Sequence, residues 1–119
     1  MTGHVYWILN LGIKDGKYGE LESLMAEMVD ATKAHEPGAL NYEWSVSEDK
    51  KTCHIFERYE DSDATMVHMG NFGKKFAGRF MEVFSPKSVN LYGDPSEKVV
   101  KALAAMGAVK MTSIGGFSR

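Results

Sequence analysis

Periodicity constrains this chain more than any other feature. From His4 to Ile13 the residues alternate, with Val5, Trp7, Leu9, Leu11 and Ile13 on one side and Tyr6, Ile8 and Asn10 on the other, the spacing of a strand. From Lys17 to Ala34 the repeat lengthens. Leu21, Leu24, Met25, Met28, Val29 and Thr32 recur in steps of three and four, which winds an apolar stripe along one side of a helix. Lys33 and His35 put cations where the carbonyl end of a helix favours them, and Pro37-Gly38 stops it.

Alternation then returns twice. Leu40, Tyr42, Trp44 and Val46 share a face, a polar turn covers Ser47 to Lys51, and Thr52 to Tyr59 reads as the second arm of a hairpin. In that arm Cys53, Ile55, Glu57 and Tyr59 face one way and His54, Phe56 and Arg58 the other. Asp61, Ser62 and Asp63 offer capping oxygens for a short helix from about Ala64 to Met69. Gly70-Asn71 is expected to interrupt it, and a further helix then carries Phe72, Phe76, Phe80 and Phe84 at spacings of four until Pro86. Lys87 to Tyr92 is the fourth strand.

The order strand, helix, strand, strand, helix, strand is the split βαβ arrangement of an α+β, ferredoxin-like domain. It predicts a four-stranded antiparallel sheet with both helices on one face. The other face, with Tyr6, Ile8 and Phe56 among charges, is left open, and a chain of this length keeps roughly a third of its unfolded-state surface exposed. A second copy is therefore expected to cover it, making a homodimer. Past Tyr92, Pro95, a capping Ser96, the apolar set Val99, Val100, Leu103 and Ala104, and Gly107 describe one more helix. Val109 to Ile114 is a candidate fifth strand, expected on the edge of a partner's sheet. The expectation is a single domain over residues 1–119, with a core at about 4–93 and a C-terminal extension at about 94–119.

Composition narrows the function classes. Fourteen Lys and Arg against sixteen Asp and Glu give a net charge of -2, without the basic, aromatic-interleaved stretch that a nucleic-acid surface needs. No segment approaches the roughly 18 apolar residues of a membrane span, and the N-terminus lacks a basic region followed by an apolar one. The single cysteine, Cys53, leaves no intrachain disulfide and no cysteine zinc site, and suits a reducing cytoplasm. Dinucleotide, phosphate-loop and nucleophile-elbow motifs are absent. His54 and Glu57, three apart on a strand, point to opposite faces and cannot share a metal.

What remains for chemistry is the group that strand parity turns beneath the helices: Trp7, Tyr42, Trp44, Glu57 and Tyr59, joined by His68 from the short helix. A carboxylate between Ile55 and Tyr59 should lose part of its hydration, which makes proton exchange near neutrality conceivable. Equally, Glu57 could bond a backbone group or His68 and only orient a loop. The aromatics serve either as core or as ring contacts, and the inner edge of the phenylalanine stripe, at Phe76 and Phe80, offers a pocket wall.

The segments Glu36-Pro37-Gly38-Ala39-Leu40-Asn41-Tyr42-Glu43 and Glu57-Arg58-Tyr59-Glu60-Asp61-Ser62-Asp63-Ala64, ending at His68, resemble the two most characteristic stretches of the antibiotic biosynthesis monooxygenase family. There an acid-Pro/Gly-Gly turn leads into the second strand, and a later strand ends in Glu, any residue, aromatic, followed by a helix with an alanine and a histidine eleven residues after the Glu. Glu57, Tyr59, Ala64 and His68 fit. The similarity spans about residues 5–92. It implies a dimeric α+β barrel and oxygenation of a small phenolic or quinol-like aromatic with no metal or flavin cofactor. Glu57 or His68 would be the base, and Tyr59, Trp44, Tyr42, Trp7, Phe76 and Phe80 would hold the ring. Asn10, with Trp7 or Trp44, is a candidate by residue type for the asparagine and tryptophan pair of some family oxygenases. Two alternatives use the same pocket: a non-catalytic dimer that binds a small aromatic, and an isomerase or lyase that moves a proton without oxygen.

Overall fold

A computed structural model describes residues 3–119. The chain runs β1 (Val5–Ile13), α1 (Tyr18–His35), β2 (Ala39–Val46), β3 (Thr52–Tyr59), α2 (Ser62–Lys75), α3 (Ala77–Val83), β4 (Phe84–Gly93), α4 (Glu97–Ala104) and β5 (Ala108–Lys110). The sheet order is β2-β3-β1-β4-β5, in which the first four strands are antiparallel as a ferredoxin-like fold requires. The alternation of β1 is realised directly: Val5, Trp7, Leu9 and Leu11 are buried, and Tyr6, Ile8 and Asn10 lie on the open side. Leu21, Leu24, Met28 and Thr32 of α1 lie buried in the layer that covers the inner face.

Two bulges alter the parity that alternation implies. Ala39 pairs with Tyr59 and Asn41 with Arg58, so Leu40 is an extra residue on β2 and is exposed instead of sharing the inner face with Tyr42. On β4, Asn10 pairs with Ser88 but Leu11 pairs with Pro86, which makes Lys87 the extra residue. That slip turns Pro86 and Phe84 onto the same face as Val89 and Leu91, so β4 begins at Phe84, and Pro86 lies within it at the irregular step.

The helical layer differs from expectation at one joint. Gly70-Asn71 does not interrupt α2, because a glycine inside a helix costs only about 1 kcal/mol against alanine and blocks no hydrogen bond. The break falls six residues later at Phe76, whose φ of -126° leaves the helical region. The four phenylalanines therefore belong to different elements: Phe72 to α2, Phe76 to the joint, Phe80 to α3 and Phe84 to β4. The Asp61 side chain caps α2 by accepting from the Ala64 N–H at 2.8 Å.

The C-terminal extension forms the expected helix and departs from expectation only in its last strand. Ser96 caps α4, whose Val99 and Leu103 are fully buried, and Gly107 turns the chain with a φ of 85°. The fifth strand pairs parallel to Val89–Leu91 of β4 in the same chain, not with a partner, and covers Ala108–Lys110 instead of Val109 to Ile114.

Candidate active site

Strand register assembles the site. Tyr42, Glu57 and Trp7 stand opposite one another on β2, β3 and β1, so three functional side chains share one row of the inner face. Trp7 Nε1 donates to Glu57 Oε2 at 3.0 Å, and the Tyr59 hydroxyl, two residues along β3, donates to Glu57 Oε1 at 2.7 Å. The capped start of α2 sets the helix so that Thr65 and His68, three apart, both turn inward. His68 Nε2 lies 3.1 Å from Glu57 Oε1, while its Nδ1 lies 2.9 Å from Oε1 of a second buried acid, Glu36. Asn71 Nδ2 donates to the other Glu36 oxygen at 3.2 Å.

Glu36 reaches this position from the turn between α1 and β2. That turn can pack against α2 only because residue 38 is glycine: a Cβ there would stand 2.6 Å from the Ala64 Cβ. Pairing continues at once, with the Glu60 N–H donating to the Gly38 carbonyl at 2.9 Å.

The protonation state of His68 follows from its partners. Each ring nitrogen lies within hydrogen-bond distance of a carboxyl oxygen, an arrangement that favours the doubly protonated imidazolium. Burial works against that charge, but the hydrogen bonds to Glu36 and Glu57 and the field of the two acids outweigh it and push the pKa up to about 9. For Glu36, burial pushes the carboxyl up, yet His68, Asn71 and the more distant Lys75 together hold it below its usual value. Burial and the neighbouring Glu57 raise the phenols of Tyr42 and Tyr59 far above their usual range, so both stay protonated. The rings of Tyr42 and Tyr59 flank the imidazolium at 5.3 and 5.1 Å.

Above this row lies a cavity of about 290 Å³, bounded by the sheet, by Met28 of α1 and by α2, α3 and α4. Trp7, Tyr42, Glu57 and His68 line one end, and Phe80 lines the roof with Met69 and Phe72. Other expected ring contacts lie elsewhere. Tyr59 is fully buried beneath Trp7, stacked on it at 5.1 Å, and reaches the cavity only through Glu57. Trp44 packs against Phe80 and Phe84 outside the lining. Phe76, thrown to the other side by the joint before α3, borders a separate crevice beside Glu36 and Asn71. Asn10 is on the opposite sheet face, level with His54 and Ser88, as the parity of β1 demands.

Sequence reasoning did not single out Glu36 or Asn71 as site residues. Glu36 precedes Pro37-Gly38 in a turn, where no alternation says which way a side chain points, and Asn71 sat in a supposed helix break. Leu103 and Met106 of the C-terminal extension, also unforeseen, complete the roof. Cys53 is buried, which pushes its thiol up to about 11, and it lies outside the lining. Among the described residues no group of three or more His, Cys, Asp or Glu side chains is arranged to hold a metal ion, and no helix is long and apolar enough to cross a membrane.

Residues 5–72 match the family model described as antibiotic biosynthesis monooxygenase. No curated protein matches the chain. Among solved structures, MupZ from Pseudomonas fluorescens superposes with a TM-score of 0.85 at 20% identity, over 98% of this chain and 94% of that one, so its likeness runs through the C-terminal extension. SnoaB from Streptomyces nogalater, described as a cofactor-independent oxygenase and solved as a point mutant, gives 0.65 at 17% identity, covering 76% and 92%. Rv0793 from Mycobacterium tuberculosis gives 0.61 at 22% identity, covering 79% and 97%. At these identities the likeness is one of fold.

Proposed function

The chain belongs to the antibiotic biosynthesis monooxygenase family, and from that footing we propose that it oxygenates a small phenolic or quinol-like aromatic without metal or flavin. The observation that carries the proposal is the buried Glu36–His68–Glu57 cluster at one end of an apolar cavity. A carboxylate has about four acceptor positions, and Trp7, Tyr59 and His68 occupy three of those on Glu57. The remaining one, on Oε2, is available to a substrate hydroxyl.

In this reading Glu57 is the base, and His68, already charged at neutral pH, is not. Glu57 takes the hydroxyl proton while the fixed imidazolium stabilises the phenolate that forms beside it. Apolar walls exclude water, which strengthens that stabilisation. The electron-rich phenolate then passes an electron to oxygen. One oxygen atom replaces a ring hydrogen and the other leaves as water, the substrate giving up four electrons and two hydrogens in all and leaving as a quinone. Trp7, Tyr42 and Phe80 hold the ring in place. The homodimer belongs to the same proposal, with the open sheet face around Tyr6 and Phe56 as its contact.

Oxygen uptake over a panel of hydroquinones and anthrones tests the assignment. Glu57→Gln keeps the size of the side chain but cannot accept the proton, and turnover should fall by about 10²- to 10⁴-fold. Full activity in both Glu57→Gln and His68→Ala would refute the mechanism. Ligand-induced thermal stabilisation without any oxygen uptake would indicate a binding protein instead.

A further inference from the structure

The polar groups of the cavity are all at one end. The strands lay three rows of inward side chains beneath it, led by Trp7, Leu9 and Leu11 on β1. The first row holds Glu57 and Tyr42 beside Trp7, and His68 stands over it. In the second row the lining is Leu9, Ile55 and Val89, and in the third Leu11 and Pro86, with no polar side chain in either. From Trp7 to Leu11 is four residues, or about 13 Å at roughly 3.3 Å per residue. The cavity is thus an apolar slot with a single polar terminus.

Its two ends also differ in access. Glu57 is 3% exposed and His68 5%, whereas the lining residues Met81 and Met106 are 50% and 44% exposed and Pro86 is exposed as well. The polar end is therefore closed, and the mouth is apolar and flanked by methionines, whose unbranched, polarisable side chains adapt to varied hydrocarbon shapes. A ligand with a second polar group at its far end would have to bury that group against hydrocarbon, without a partner, at a loss of about 5- to 150-fold in affinity.

We infer that the slot selects a single-headed amphiphile, a phenol whose hydroxyl reaches Glu57 and whose remaining body is hydrocarbon running along the second and third rows toward the Met81–Met106 mouth. The choice of a hydroxyl as the head rests on the proton-accepting role proposed for Glu57. The apolar body rests on the lining alone. Within the phenolic and quinol-like class proposed above, it favours compounds with one polar head over quinols with polar groups at both ends.

Calorimetric titration with phenol and 4-alkylphenols of increasing chain length, each beside its analogue with a terminal hydroxyl on the chain, tests the inference. Affinity should rise about fourfold per methylene, the equivalent of 0.8 kcal/mol, and level off once the chain reaches the mouth. A terminal hydroxyl should weaken binding at least fivefold while the chain end lies inside and have little effect once it emerges. Met106→Lys, at a position exposed enough to tolerate the charge, should weaken the longest alkylphenols severalfold more than it weakens phenol. Affinity independent of chain length, equal binding of the hydroxylated analogues at every length, or no binding at all would overturn the inference. Oxygen uptake on the same compounds keeps the two readings apart. A steep length dependence without uptake removes the oxygenase and leaves the slot, and uptake with a flat length dependence does the reverse.

Discussion

His68 draws the site together because it bridges two buried glutamates, whose hydrogen bonds and field favour its charged form. Its pKa in the fold, about 9, exceeds the ordinary value of 6.5, so the native state holds its proton more tightly than the unfolded chain does. The stability this contributes is fully present below pH 6.5 and is lost as pH rises through about 9, an effect of roughly 3 kcal/mol. Glu36 acts in the opposite sense: its lowered pKa contributes above the ordinary carboxylate value and is lost as pH falls through the lower native one. Denaturant midpoints measured from pH 6 to pH 10 should therefore decline in the wild type and decline much less in His68→Gln. Parallel curves for the two proteins would show that the ring carries no such charge.

Among the elements, α4 links fold to cavity most directly. Leu103 is fully buried there and also forms part of the roof, so Leu103→Ala should destabilise the protein by about 2–5 kcal/mol, read from the denaturant midpoint. The loss should come with weaker binding of any ligand held beneath it. The elements were legible in the sequence to different degrees. Two-residue alternation placed β1 and β3 on their faces, and so placed Glu57 and Trp7 together, because a strand has only two sides. Both bulges were illegible: one added residue, Leu40 or Lys87, reverses every side chain beyond it without any mark in composition. Gly70-Asn71 had the look of a helix end, but Asn71 instead reaches back to Glu36, and the true joint at Phe76 carries no breaking residue. The turn motif marks Glu36 as its acid but not as a site residue, because turns have no period from which to infer direction.

For the whole molecule, the sheet face away from the helices is the surface on which the proposed homodimer would form. Tyr6 stacks on Tyr92 at 5.4 Å and meets Phe56 edge-on at 6.3 Å, an aromatic patch on the side away from the helical layer. Burying such a patch in an isologous contact is the simplest route to a closed dimer. Light scattering at micromolar concentration should give twice the 13.2 kDa chain mass, and Phe56→Glu should halve it. A wild-type monomer would leave the patch without the role assigned to it. Ligand entry would be separate from this contact, since the slot opens beside α3 and α4, on the helical side of the sheet.

The charge state of His68 underlies both the stability argument and the choice of Glu57 as base, and nitrogen NMR of the labelled imidazole ring reports it without a substrate. At pH 7.5 both ring nitrogens should carry hydrogen, with a titration midpoint near 9 that falls when Glu36 is replaced by Gln. A ring that is neutral at pH 7.5, titrating near 6.5 and indifferent to Glu36, would contradict the account.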